Sequence, residues 1–414
     1  MFHGIETGGL ADYPASVFFI GFPFDESSHC GDSSDRQRGS VRPENVAITE
    51  YNAFQVAGRL GYISMLKREI FLLTDYRNQF YEAVRSHGAS FDLARMAMYF
   101  SDLGFNLQVR QFREIDFSKF NCNGYPILYQ SSEDQDLLYK DYIEDILLGL
   151  MLKGANLIPD FPKFRAHHNK VFMEILRNIH DSDTVKGISS HGYGTFEEFA
   201  SDIGLQPENL VMKPASGARS SGVRLVKGRT AQLRYARTLS SSFNAIEWLK
   251  VLVNSFYRKN FRKKSLNRRK FVVQEFIPGL EGDYKILVYG DKYYVLQRTN
   301  RKNDFRASGS GNFIFPVSIP SGLLDCAHDV FVSFNVPFIS MDIAKLEDKY
   351  YIIEFQFISF GNYTLERSKY YYKKTYQNGW MKIEETPDLE REFAASVVQY
   401  IERNVMPHRG IPKA

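Results

Sequence analysis

"SMDIAKLEDKYYIIEFQF", Ser340 to Phe357, is the stretch that decides the fold of this chain. Two apolar runs flank a charged turn, which is the pattern of a hairpin. If Glu347, Asp348 and Lys349 form a three-residue turn, Leu346 pairs with Tyr350 and Asp342 falls directly opposite Glu354. Residues so opposed hold their Cβ atoms about 4.5–5.5 Å apart, where like charges are destabilising. Gln356, two residues after Glu354, shares its face. The surroundings of Glu354, "YYIIEFQFISF", are so apolar that an unpaired charge there would be costly. Two carboxylates and an amide carbonyl on one spot call for positive charge between them. Mg²⁺ suits, because it takes oxygen ligands and joins one or two carboxylates to substrate phosphates. A solvent-screened pair at a sheet edge is the alternative.

Upstream lies "NLVMKPASGARSSGVRLVKG", Asn209 to Gly228. Small or flexible residues crowd Ala215 to Gly222 between two apolar runs, with Lys213 at the threshold. This is not a P-loop, since no G-K-[ST] opens a helix and Gly222 leads into the strand-like "VRLV". A Gly/Ser hairpin can still fold over phosphates, because its amides approach without Cβ interference and form an anion nest. Ser216, Gly217, Arg219, Ser220 and Ser221 would then serve as donors, with Lys213 as a point charge. A plain flexible hairpin is the competing reading.

Two further segments carry weaker signals. "FVVQEFIPGLEGDYKILVYG" runs a strand into Pro278–Gly279, exposing backbone groups that could hydrogen-bond a planar purine, with Glu281 or Asp283 placed for ribose hydroxyls. In "NDFRASGSGN", Arg306 is followed by small residues, as expected of a guanidinium that clamps a phosphate or carboxylate. A surface arginine in a loop gives the same pattern.

Around these segments the pattern is mixed α/β. "EIFLLTDY", "FNLQVRQF", "YPILYQS" and "ANLIP" read as strands. They alternate with helices at "SFDLARMAMYFSDLG", with Ser90 as N-cap and Gly104 past the end, and at "YKDYIEDILLGLMLKG", closed by Gly154. Residues 65–160 thus form an α/β layer with a largely parallel sheet. A helix from Val171 and antiparallel strands follow, interrupted by one helix, "TAQLRYARTLSSSFNAIEWLKVLVNSF", and a basic run, 258–270. "DLEREFAASVVQYIERNV" is the last helix. Residues 1–64 carry no readable role; 161–270 and 271–414 read as two further subdomains.

With 414 residues, 44% of them apolar, the chain has material for two or three domains. A net charge of +4, from 52 Lys+Arg against 48 Asp+Glu, does not by itself imply a polyanionic partner, and nucleic acid is not expected. Cys30, Cys122 and Cys326 lie far apart without a C-x-x-C pair, which argues against a zinc site or a disulfide framework and fits a reducing cytoplasm. "VFFIGFPF" is too short to span a bilayer, so neither signal peptide nor membrane span is expected. A homodimer is left open.

Taken in order, these segments resemble the ATP-grasp superfamily, most closely its RimK-like carboxylate–amine ligases, from about Lys163 to Asn362. The resemblance implies an α+β ATP-grasp fold preceded by a small parallel-sheet domain. It implies that Lys170 in "HHNKVFMEIL" and Lys213 bind nucleotide and that "SGARSSG", ending at Gly222, covers the phosphates. Glu275, Phe276 and Ile277 would form the adenine hinge, with Asp283 near the ribose. Arg306 would stabilise the transferred phosphoryl group. Asp342, Glu354 and Gln356 would be the magnesium ligands, for two ions that Mn²⁺ could replace. Two departures stand out. Gln356 replaces the usual Asn, and "ISFGNYT" lacks the N-x-x-P-G continuation on the acceptor side, which points away from a standard amino-acid or peptide substrate.

The implied reaction is ATP-dependent amide formation through an acyl phosphate, on an amino acid, peptide or sugar acid. Phosphoryl transfer asks mainly for positioning and charge neutralisation, which these residues would supply. The basic run carries eight Lys/Arg in thirteen residues. It reads as a solvated insertion, or as an electrostatic lip for an acidic substrate. Two rival functions remain: an ATP-grasp kinase acting on a hydroxyl, and a nucleotide-regulated polyanion-binding protein whose binding would weaken steeply with salt. His167 and His168, beside Lys170, read as structural or solvent-facing.

Overall fold

A computed structural model describes residues 68–405, apart from 83, 218–220, 303, 308, 310, 317 and 378. The expectations for residues 1–64, and for Arg219 and Ser220, lie outside the described residues. No helix among those described is long and apolar enough to cross a membrane.

The chain mixes helices with one parallel and two antiparallel sheets. The parallel sheet has the order β2-β1-β3-β4, with β1 Glu69–Thr74, β2 Asn106–Gln111, β3 Pro126–Tyr129 and β4 Asn156–Ile158. Helix α1, Leu93–Asp102, crosses from β1 to β2. Its N-cap is Asp92, whose carboxylate accepts from the amides of Ala94 and Arg95, and not Ser90 as its hydroxyl suggested. The helix buries Met96 and Phe100, one turn apart, and the chain reverses at Gly104 with φ +80°. Helix α2, Leu138–Leu152, buries Lys140, Ile143, Leu147 and Leu150, the 3-4-3 spacing of a single face.

After β4, α3 (Phe161–Ala166) is capped by Asp160 and α4 (Lys170–Ile179) by Asn169, whose side chain accepts from the Phe172 amide. Between them lies the turn that carries His167 and His168. A short helix, α5 (Asp183–Lys186), leads to the second sheet, ordered β5-β8-β6-β7. Its strands are β5 Ser190–Tyr193, β6 Asn209–Pro214, β7 Arg224–Lys227 and β8 Phe271–Glu275, with α6 (Phe196–Ser201) and α7 (Arg229–Ser240) packed on it. Since β8 pairs with β6 and β5, this sheet extends to Glu275, past the subdomain boundary expected at residue 270. The single helix expected over 230–256 is two, α7 and α8 (Ala245–Tyr257). Asn244 caps the second by accepting from Ile246 and Glu247 amides, a competing hydrogen bond that breaks the run.

The third sheet has the order β13-β12-β9-β10-β14-β15, with β11 paired to β10. It comprises β9 Gly282–Tyr289, β10 Lys292–Thr299, β11 Phe313–Ile314, β12 Phe338–Leu346, β13 Lys349–Gln356, β14 Tyr370–Thr375 and β15 Gly379–Glu384. Helix α9 (Ser321–Phe334) covers one face; on the other, α11 (Leu389–Asn404) joins the core of the parallel layer through Phe393 and Val397, while α10 (Tyr363–Arg367) follows β13.

Candidate functional site

A cavity of about 460 Å³ opens where the second and third sheets and the α3–α4 turn meet, within the range of ligand pockets. On its floor, Asp342 of β12 lies directly opposite Glu354 of β13 and Ser340 opposite Gln356. The turn has two residues, since Leu346 pairs with Lys349. That register alone would place Asp342 against Ile353. A β-bulge after Asp342 absorbs Ile353 and restores Asp342 to Glu354.

The positive charge that this pairing calls for comes in part from the protein itself. Lys285 of β9 is the other cross-strand neighbour of Asp342, and its Nζ lies 3.6 Å from Asp342 Oδ1. Arg298 of β10 places Nη2 2.7 Å from Asp342 Oδ2 as an ion pair and donates to Asp283 through Nε and Nη2 at 2.6 and 2.8 Å. Burial and the Asp342 charge push the Asp283 carboxyl up to about 6, while Arg298 and Lys285 hold Asp342 down against its burial. Sequence reading passed over Lys285 and Arg298. A signal was present: Tyr289 pairs with Lys292 across a two-residue turn, and counting back puts Arg298 opposite Asp283.

The expected residues fall as follows. Lys170, Lys213, Gly217, Ser221, Glu275, Phe276, Ile277, Asp283, Arg306, Asp342, Glu354 and Gln356 all line the cavity. Lys170, the first residue of α4, donates from Nζ to the Gly217 carbonyl at 2.8 Å and lies 3.9 Å from Glu354 Oε1. It thereby ties the start of the glycine-rich loop to the carboxylates. Gly217 has φ +122°, a conformation that disfavours any side chain. Lys213 is buried on β6, and burial pulls its ammonium down from the usual lysine range, against the nearby Glu174 and Glu354 charges. Arg306 is pinned by Asp304, at 2.6 Å, and donates to the Val223 carbonyl at 3.2 Å. Gln356 donates from Nε2 to Glu354 Oε1 at 3.1 Å.

Others stand apart. Ser216 is exposed and outside the cavity wall, and Gly222 packs against Pro214 with its carbonyl accepting from the Tyr235 hydroxyl. Glu281 is exposed and outside the wall; Asp283 lines the cavity, but both its oxygens are engaged by Arg298. No residue of the basic run 258–270 lines the cavity.

Two orphaned polar atoms test what the cavity fits. Asp342 Oδ1 is buried without a hydrogen-bond partner, and so is Gln274 Nε2, next in the chain to Glu275. A cation would satisfy the first and a ligand bearing an acceptor the second, so an oxygen-ligated metal and a nucleotide both fit the residues present.

No protein-family model and no curated protein matches the sequence. Among solved structures the chain is similar to D-cycloserine synthetase DcsG, with TM-score 0.46 and 11% identity over 80% of this chain and 99% of that one. It is similar to a RimK domain ATP-grasp protein from Sphaerobacter thermophilus, with TM-score 0.42 and 11% identity over 80% and 99%. It is also similar to the ATP-grasp ligase PsnB complexed with minimal precursor, Mg and ADP, with TM-score 0.41 and 14% identity over 80% and 97%.

Proposed function

We propose that the chain is an ATP-dependent ligase that joins a carboxylate to an amine. The observation that carries this reading is the convergence in one cavity of Asp342, Glu354 and Gln356 with Lys170, Lys213, Lys285 and Arg306. Such a set suits an anionic, phosphate-bearing substrate beside an oxygen-ligated cation. The purine of ATP would lie against Glu275, Phe276 and Ile277, where β8 leaves the second sheet. Lys170 and Lys213 would hold the phosphates under the loop that begins at Gly217, and Arg306, pre-aimed by Asp304, would face the transferred group. Mg²⁺, held by Asp342, Glu354 and the Gln356 carbonyl, would neutralise phosphate charge.

The substrate carboxylate takes the terminal phosphoryl group: a C–O–P bond forms as the bond to ADP breaks. The amine nitrogen then attacks the acyl carbon, inorganic phosphate leaves with both C–O bonding electrons, and the amine loses a proton. Closing the loop would exclude water from the acyl phosphate. Sugar acids are the substrate class to examine first, with amino acids and peptides after them.

The test is ADP and phosphate release with ATP and Mg²⁺ across panels of carboxylic acids and amines, comparing wild type with Glu354→Ala. Turnover that needs both an acid and an amine, and is lost in the variant, supports the ligase. A stable phosphorylated product from a hydroxyl acceptor alone replaces it with a kinase. Nucleotide binding without turnover replaces it with a sensor.

A further inference from the structure

One wall of the cavity carries three groups that the ligase reading does not use. Glu133 follows β3, and His167 and His168 form the α3–α4 turn; all three line the cavity. His167 Nε2 lies 3.3 Å from Glu133 Oε1, and His168 Nε2 lies 3.1 Å from the same oxygen. One ligand-type atom from each residue falls within 4.8 Å of the other two. Ligands bonded to a tetrahedral cation at 2.0–2.2 Å lie about 3.4 Å apart, so these atoms need little movement to close on one.

The supporting contacts belong to a built site. His167 is buried, and its other ring nitrogen, Nδ1, meets the buried Ser131 hydroxyl at 2.9 Å. A metal-ligating imidazole is ordinarily oriented by such a hydrogen bond from its second nitrogen. The backbone is held as well: Lys140 Nζ donates to the His167 carbonyl at 2.5 Å. His168 adopts φ +49°, uncommon for a residue with a side chain, and this places its Nε2 beside the same carboxylate as its neighbour's.

We propose that Glu133, His167 and His168 form a site for an imidazole-preferring divalent cation of the zinc type, with an open fourth position facing the cavity. Two imidazoles and one carboxylate are the donor set of zinc sites that keep one position for water or substrate. The Asp342, Glu354 and Gln356 set offers only oxygens and suits a hard cation instead. The cavity therefore holds two cation sites of different softness. The fourth position of the softer one would take water, or the amine or carboxylate of a ligand. This site rests on its own geometry and does not require the ligase reading.

The test is zinc binding to chelator-stripped full-length protein, by competition with a chromophoric zinc indicator in excess Mg²⁺, with Co²⁺ as a spectroscopic substitute. The expected result is a single zinc ion per chain and the intense visible bands of tetrahedral Co²⁺. His168→Gln and Glu133→Gln should each weaken zinc by about a hundredfold or more, and Ser131→Ala by about tenfold. His168 is not fully buried, so its variant stays informative if His167→Gln fails to fold. Glu354→Ala should leave zinc affinity within about twofold, since it removes no ligand of this site. Equal affinity in His168→Gln, or zinc binding lost in Glu354→Ala, overturns the proposal. Because the readout is zinc affinity, a chain that binds zinc here but ligates nothing would sink the ligase reading alone.

Discussion

Arg177 donates from Nη1 to the carbonyl of Ile352 at 2.8 Å, on a strand 175 residues further along the chain. Its Nη2 reaches the Ile353 carbonyl at 3.3 Å, its Nη1 the Val185 carbonyl at 2.9 Å, and its Nε the buried carboxylate of Glu174 at 2.6 Å. Ile353 is the residue absorbed by the bulge. One fully buried guanidinium from the helix that begins with Lys170 thus holds the kink that sets Glu354 opposite Asp342.

Arg177→Met should therefore cost about 3–5 kcal/mol, because it leaves Glu174 charged and buried without its partner. Denaturant unfolding measures this. Adding Glu174→Gln should recover part of the loss, while the kink stays unsupported and any Glu354-dependent turnover stays low. A loss under about 1 kcal/mol for the single variant would mean that the bulge is held by the hairpin itself.

Gly282 opens β9 where a Cβ would stand 2.2 Å from the carbonyl oxygen of Arg298. Backbone cannot yield as a side-chain tip can, so Gly282→Ala should push β9 from β10 and loosen Arg298 on Asp283. The expected destabilisation is about 1–3 kcal/mol. A melting curve unchanged from wild type would show that the strands separate freely there.

Lys140 is buried on α2, and burial pulls its ammonium down to about 8 from 10.5. Below pH 8 folded and unfolded chains both carry the proton, and the desolvation penalty is constant. Between about 8 and 10.5 only the unfolded chain holds it, so this group makes stability rise with pH across that window. Lys140→Met removes the charge and keeps the length, at the loss of the bond to the His167 carbonyl. It should raise stability by about 1–3 kcal/mol at pH 7, and the gain should shrink toward pH 10. Chemical denaturation at pH 7 and pH 10 checks both halves, and a gain that grows with pH would reverse the assignment.

Gln356→Met keeps side-chain length and removes the carbonyl. If Gln356 is a cation ligand, the Mg²⁺ concentration for half-maximal turnover should rise about tenfold, equivalent to about 1.4 kcal/mol. A Mg²⁺ titration at saturating ATP decides it, with the unfolding midpoint as a check on folding. An unchanged requirement removes Gln356 from the ligand set.

Much of the fold was legible because local pattern and final environment agree. The parallel layer of β1 to β4 follows from apolar runs alternating with amphipathic helices, and the helix ends at Gly104 and Gly154 follow from residues that accept positive φ. Misreadings occurred where a neighbouring polar group outcompeted the expected one. Asp92 caps α1 in place of Ser90, and Asn244 divides the long helix. The pairing of Asp342 with Glu354 was expected from a three-residue turn. It arises instead from a two-residue turn and a bulge, two one-residue offsets that cancel.

The sequence by itself determined which residues share a face. Strand periodicity sets Asp342, Glu354 and Gln356 on one side of a hairpin. Tertiary structure alone decided how the charges are compensated. Lys285 and Arg298 reach Asp342 across β9 and β10, Arg177 pins the bulge from a distant helix, and Glu133 meets His167 and His168 across a turn. The physical reason is range: periodicity and turn chemistry act within a few residues, whereas buried charges are compensated by whatever the packed sheets bring near them.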